Sequence, residues 1–91
     1  MVHILTYDLH NPGRDYGAVV AAIKGMGSWA HPQGSVWFLD TSLSCGEIRD
    51  LVKAAGDPND EIFVAQMHRH WASSNMDDDV VQWLKSPSRT W

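Results

Sequence analysis

The residues best equipped for chemistry are Asp8, Arg14, Cys45, the pair His68 and His70, and five tryptophans in a chain of 91 residues. Asp8 lies in the segment Thr6-Tyr7-Asp8-Leu9, near the C-terminal end of a β-prone run. A carboxylate there can reach the sheet's edge and solvent, a place suited to a hard cation such as Mg²⁺. A single carboxylate holds that ion loosely and leaves it several waters. Arg14 follows the turn after Asp8 and is the one positive group placed near a phosphate by this reading. The bland alternative is that Asp8 caps the turn through Asn11 or pairs with Arg14, common work for an aspartate at a strand end.

The other candidates are weaker. His68 and His70 lie two apart, so on a strand they share a face, a spacing used by some metal sites, but no third ligand is evident. They read as surface histidines. Cys45 sits in the first turn of a capped helix, where a small packed thiol is the ordinary case. Among the tryptophans, Trp37 belongs to the core or a sheet face, whereas Trp71 and Trp91 are candidates to anchor a partner surface, because Trp is favoured at interface hot spots. A stacking platform for single-stranded nucleic acid needs cations among the aromatics. Arg14, Lys24, Arg49, Lys53 and Arg69 are scattered along the sequence.

These residues must be positioned by a small scaffold. The length and the 44% hydrophobic content fit one domain, which buries roughly two-thirds of the surface its unfolded chain exposes. Seven Lys and Arg against eleven Asp and Glu give a net charge of −4, which opposes nonspecific attraction to RNA or DNA, so a nucleic-acid role requires a local basic patch. One cysteine excludes an intramolecular disulfide framework and a thiolate metal cage. No apolar run approaches the ~20 residues of a membrane-spanning helix, and the start of the chain lacks the pattern of a signal peptide, so the expected location is cytoplasmic with no membrane partner.

Val2 to Leu9 predicts a first strand, stopped by Asn11-Pro12-Gly13. Tyr16, Val19, Val20 and Ile23 recur at helical spacing from Asp15 to about Met26, and Gly25 and Gly27 end that helix. Trp29 to Pro32 and Ser35 to Asp40 predict a hairpin around Gln33-Gly34. Ser44 and Glu47 have the spacing of a capping box, with Leu43 stapled to Ile48, and Ile48, Leu51, Val52 and Ala55 form the apolar face of a second helix that ends at Gly56. Asp60 to Met67 reads as a central strand. Asp77, Asp78 and Asp79 begin a last helix striped by Val80, Val81 and Leu84.

This order predicts an α+β domain of the ferredoxin-like βαββαβ class: a four-stranded antiparallel sheet with two helices on one face, over residues 1–73, with 74–91 as a C-terminal helix and tail of the same domain. Such a sheet leaves its other face to be covered, and a second copy is the expected cover, hence a homodimer.

A first strand ending in Tyr7-Asp8, then a helix, a hairpin, a second helix and a fourth strand, resembles the small ferredoxin-like subunit of the CRISPR adaptation complex and the related VapD toxins. The closer resemblance is to short bacterial SinR-like proteins. It rests on Thr6-Tyr7-Asp8-Leu9, Pro12-Gly13-Arg14-Asp15-Tyr16, Ser35-Val36-Trp37, Thr41, Glu47-Ile48-Arg49-Asp50, Asp60 and Trp71. The CRISPR-associated relatives imply a dimer whose paired first-strand aspartates surround one divalent metal for phosphodiester cleavage. Only Asp8 carries over to that site, as metal ligand and catalytic residue. A noncatalytic, partner-binding dimer on the same fold is the competing expectation.

Overall fold

The computed structural model describes residues 1–8 and 16–91; the Asn11-Pro12-Gly13 turn, Arg14 and the helix start at Asp15 lie outside the described residues. Along the chain run β1 (Val2–Asp8), α1 (Gly17–Lys24), β2 (Ser28–Gln33), β3 (Val36–Asp40), α2 (Cys45–Ala55), β4 (Glu61–Gln66) and α3 (Asp78–Lys85). The strands form one sheet in the order β2-β3-β1-β4, and every neighbouring pair is antiparallel. It follows that β1 and β2 run parallel with β3 between them, and β3 and β4 run parallel with β1 between them. Each β-α-β unit is thus split by a strand of the other, an architecture compatible with the ferredoxin-like class expected from the sequence.

Local chemistry explains most boundaries. Ser44 accepts a hydrogen bond from the Glu47 amide at 3.1 Å, and the Glu47 carboxylate accepts one from the Ser44 amide at 3.0 Å, so the capping box is complete. Asp78 and Asp79 stand in the first turn of α3 and Lys85 in its last, both favourable to the helix dipole. Pro32 lies in β2, an edge strand with an irregular register between Ala30 and Gln33, where a missing backbone donor is tolerated.

Two apolar clusters sandwich the sheet. Leu5, Trp37 and Leu39 meet Val19 and Ile23 of α1 and Ile48 and Val52 of α2 on one face. On the other, Ala30 and Phe38 meet Val80 and Leu84 of α3, with Ile4, Met67, Trp71, Met76, Trp83 and Trp91 packed around them. Part of the face expected to await a second copy is therefore covered by the chain's own C-terminal segment.

Two details depart from the sequence reading. β4 is an edge strand, not a central one, because β1 and β3 occupy the middle of the sheet. Its side chains show this: Ile62 and Val64 pack on the α1–α2 side, while Phe63 points the other way and is 65% exposed. Leu51 likewise falls outside the buried stripe of α2, at 48% exposure, since Ile48 and Val52 define the face that meets the sheet.

The C-terminal tail is held by Asp40 at the end of β3. Its carboxylate accepts hydrogen bonds from the Thr90 amide at 2.8 Å and the Thr90 hydroxyl, lies 3.3 Å from the Met1 amine, and is 3.9 Å from Arg89 Nε. Burial alone would raise the Asp40 pKa, but the hydrogen bonds from Thr90 and the Met1 amine outweigh it and hold the carboxyl below its ordinary range.

A Cβ at Gly27 would collide with the backbone carbonyl oxygen of Asp40, so Gly27→Ala should cost about 1–3 kcal/mol in urea unfolding. His3 is buried with Nδ1 lacking a hydrogen-bond partner, and burial, assisted by the Met1 ammonium, lowers its pKa despite opposing hydrogen bonds and the charge of Asp40. Its folded pKa lies below the unfolded value, so the unfolded chain protonates first and stability present at neutral pH is lost as the pH falls below about 6.5. The urea midpoint should drop between about pH 7.5 and 5.5, and His3→Leu should remove that part of the decline.

Candidate functional site

Along β1, Leu5 and Tyr7 face α1 and α2, which by strand alternation turns Ile4, Thr6 and Asp8 to the opposite face. α3 covers this face around Ile4 and Phe38. Toward the other end of β1 stand Thr6 and the exposed Asp8, paired across the ladder with Phe63 and Glu61 of β4. These residues, with Tyr7 and Ile62, line a shallow depression of about 260 Å³.

Asp8 and Glu61 are direct partners in the antiparallel register, and both are exposed. Side chains at such positions have Cβ atoms about 4.5–5.5 Å apart, and like charges there repel. Two carboxylates so placed are within reach of one cation, and neutralising them relieves the repulsion. Mg²⁺ characteristically takes one or two protein carboxylates and completes its shell with water and substrate phosphate, so this donor set fits such an ion. Glu61 also interacts with other groups of the chain. It was missed in the sequence because a carboxylate at a strand's first residue acquires meaning only from the register that sets it opposite Asp8.

The opposite face of this strand end is braced by hydrogen bonding and ring stacking. Tyr7 accepts a hydrogen bond from Trp37 Nε1 at 3.0 Å, and the Trp37 ring stacks on His31 with centroids 3.7 Å apart. Tyr16, the N-cap of α1, donates to Asp60 Oδ1 at 2.9 Å, tying that helix to the turn before β4. The end of β1 and the start of β4 are thus braced from below.

The remaining sequence candidates fall elsewhere. Arg14 lies outside the described residues. His68 and His70 follow the end of β4 and are exposed, so the shared strand face imagined for them does not form, and among the described residues no group of three or more His, Cys, Asp or Glu side chains is placed to hold a metal. Cys45 is the half-buried first residue of α2. Trp71 is half-buried against the second cluster and lines a separate cleft with Trp91.

Fold and site together define a small α+β domain with a split β-α-β sheet and a carboxylate pair at the open end of one face. No family model, curated protein or solved structure matches the chain.

Phe63 belongs to neither cluster and is largely exposed in the single chain, so Phe63→Ser, measured at a protein concentration low enough to prevent self-association, should change the free energy of unfolding by no more than about 0.5 kcal/mol. A larger loss in urea titration would mean that this side chain supports the fold.

Proposed function

We propose that the protein is a metal-dependent nuclease-like enzyme that acts on phosphodiesters as a homodimer, with Asp8 as metal ligand and catalytic residue and Glu61 as its companion. The observation that carries this reading is the in-register Asp8–Glu61 pair on the part of the sheet face that α3 leaves open. A Mg²⁺ ion bound there would polarise a phosphoryl oxygen or lower the pKa of a water. Asp8 and Glu61 supply the negative charge that holds it, and Phe63 beside them offers apolar area to a second copy. Apposition of two such ends doubles the carboxylates at the junction, which like-charge repulsion disfavours unless a cation lies between them. Arg14, six residues beyond Asp8 in the sequence, is the proposed phosphate contact. RNA and DNA both carry the required diester.

The exposed Phe63 also favours a second reading, a noncatalytic dimeric module that binds a protein partner on the same fold. In that case the carboxylates have no chemical task.

Cleavage of labelled RNA and DNA with Mg²⁺ or Mn²⁺ separates the two. Asp8→Asn and Glu61→Gln should each lower the rate about 100-fold or more while folding normally. Sedimentation equilibrium should give a dimer that Phe63→Ser weakens. A wild type that cleaves neither substrate, or variants that cleave as well as it does, would overturn the enzymatic reading in favour of the binding module.

A further inference from the structure

The second tryptophan-rich region has a different chemistry. Trp71, from the segment after β4, and Trp91, from the tail, line a cleft of about 260 Å³ with Arg69, Lys85, Arg89, Leu84, Ser86 and Pro87. Three of the chain's seven Lys and Arg therefore converge on one cleft, and among the described residues no carboxylate side chain lines it, in a protein whose net charge is −4. Lys85 and Arg89 are near neighbours in sequence, and Arg69, sixteen residues before Lys85, joins them because the tail folds back across the sheet.

They are not equivalent. Arg89 is already committed: its guanidinium lies 4.2 Å from the Trp83 ring centroid, Nη1 donates to Ser28 Oγ at 2.7 Å, and Nε is 3.9 Å from Asp40. It holds the tail in place. Arg69 and Lys85 are exposed and have no ion-pair partner among the described residues. The cleft thus combines two cations that make no ion pair with the described residues and two half-buried indole rings.

That combination suits a planar ring carrying a phosphate. Aromatic side chains stack on any nucleobase, and neighbouring cations neutralise its phosphate. The volume, about 260 Å³, falls just below the roughly 300–1,000 Å³ of drug-sized ligand pockets, which suits a single nucleotide unit better than a larger ligand. We propose that the cleft formed by Arg69, Trp71, Lys85 and Trp91 binds a nucleoside monophosphate unit, free or as one residue of a single strand. The site is distinct from the carboxylate pair. Met67 N donates to Val2 O at 2.8 Å, which puts the following segment at the start of β1, and Asp8 is at its other end, about 20 Å away along a seven-residue strand.

Titration calorimetry in EDTA, with adenosine monophosphate, adenosine, inorganic phosphate and an oligoadenylate of about eight nucleotides, tests the assignment without cation-dependent cleavage. The monophosphate should bind at least about tenfold more tightly than adenosine or phosphate alone, because ring and anion are recognised together. The doubly substituted Arg69→Gln, Lys85→Gln protein, altered only at exposed positions, should lose about tenfold in affinity and much of the salt dependence. Trp91→Ala should weaken binding about fivefold or more through lost stacking, with folding checked by circular dichroism. Equal affinity for the monophosphate and the oligonucleotide would assign a free nucleotide, and markedly tighter oligonucleotide binding would assign a strand; either supports the site. Binding of neither at millimolar concentration, or binding unchanged by the double substitution, would overturn it.

Discussion

The structure depends on burying both faces of the two central strands. β1 and β3 are hydrogen-bonded on both edges, so their backbones are shut off from water, and each of the two faces between which their side chains alternate must find cover. Leu5, Trp37 and Leu39 receive it from α1 and α2, and Ile4 and Phe38 from α3 and the tail around it. A strand covered on both sides reads as a nearly unbroken apolar run, and Val2 to Leu5 and Val36 to Leu39 have that character, broken only by His3.

His3 and Asp40 show what such burial costs and how the chain meets it. Both are polar groups at the same end of the central strands, close to the Met1 amine. Asp40 gathers Thr90, Met1 and Arg89 around its carboxylate, and so turns a charge in a sparsely hydrated place into the anchor of the tail. Burial disfavours a charge on His3, the nearby Met1 ammonium adds to this, and Nδ1 lacks a hydrogen-bond partner among the described residues, so the neutral imidazole is favoured. One group stabilises by forming a network and the other by giving up its charge.

The cover on the second face is unequal to the sheet, for a geometric reason. α3 has eight residues, about 12 Å of helix, whereas the seven residues of β1 extend over about 20 Å. The helix packs chiefly against β2, the edge opposite β4, and so leaves the Asp8 end of β1 and the adjoining β4 open. The carboxylate pair and Phe63 therefore share an uncovered surface, while the tail, held at the opposite end, gathers Arg69, Lys85 and Arg89 beside Trp71 and Trp91. One short helix thus separates an acidic end of the face from a basic one.

The sequence alone determined the elements: the periodicity of Val19, Val20 and Ile23, the Ser44–Glu47 box and the hairpin around Gln33-Gly34 are local signals, and local hydrogen bonding and side-chain spacing suffice to express them. It also pointed to Asp8 at a strand end and to a βαββαβ order with a final helix. Tertiary structure decided what depends on register and on which strand lies beside which. β4 became an edge, Leu51 and Phe63 turned to solvent, Glu61 came opposite Asp8, and Arg69 met Lys85 and Arg89 beside two tryptophans. These outcomes escape a linear reading because strand pairing and helix docking join residues far apart in sequence, and a shift of one residue in register turns every side chain of a strand to its other face.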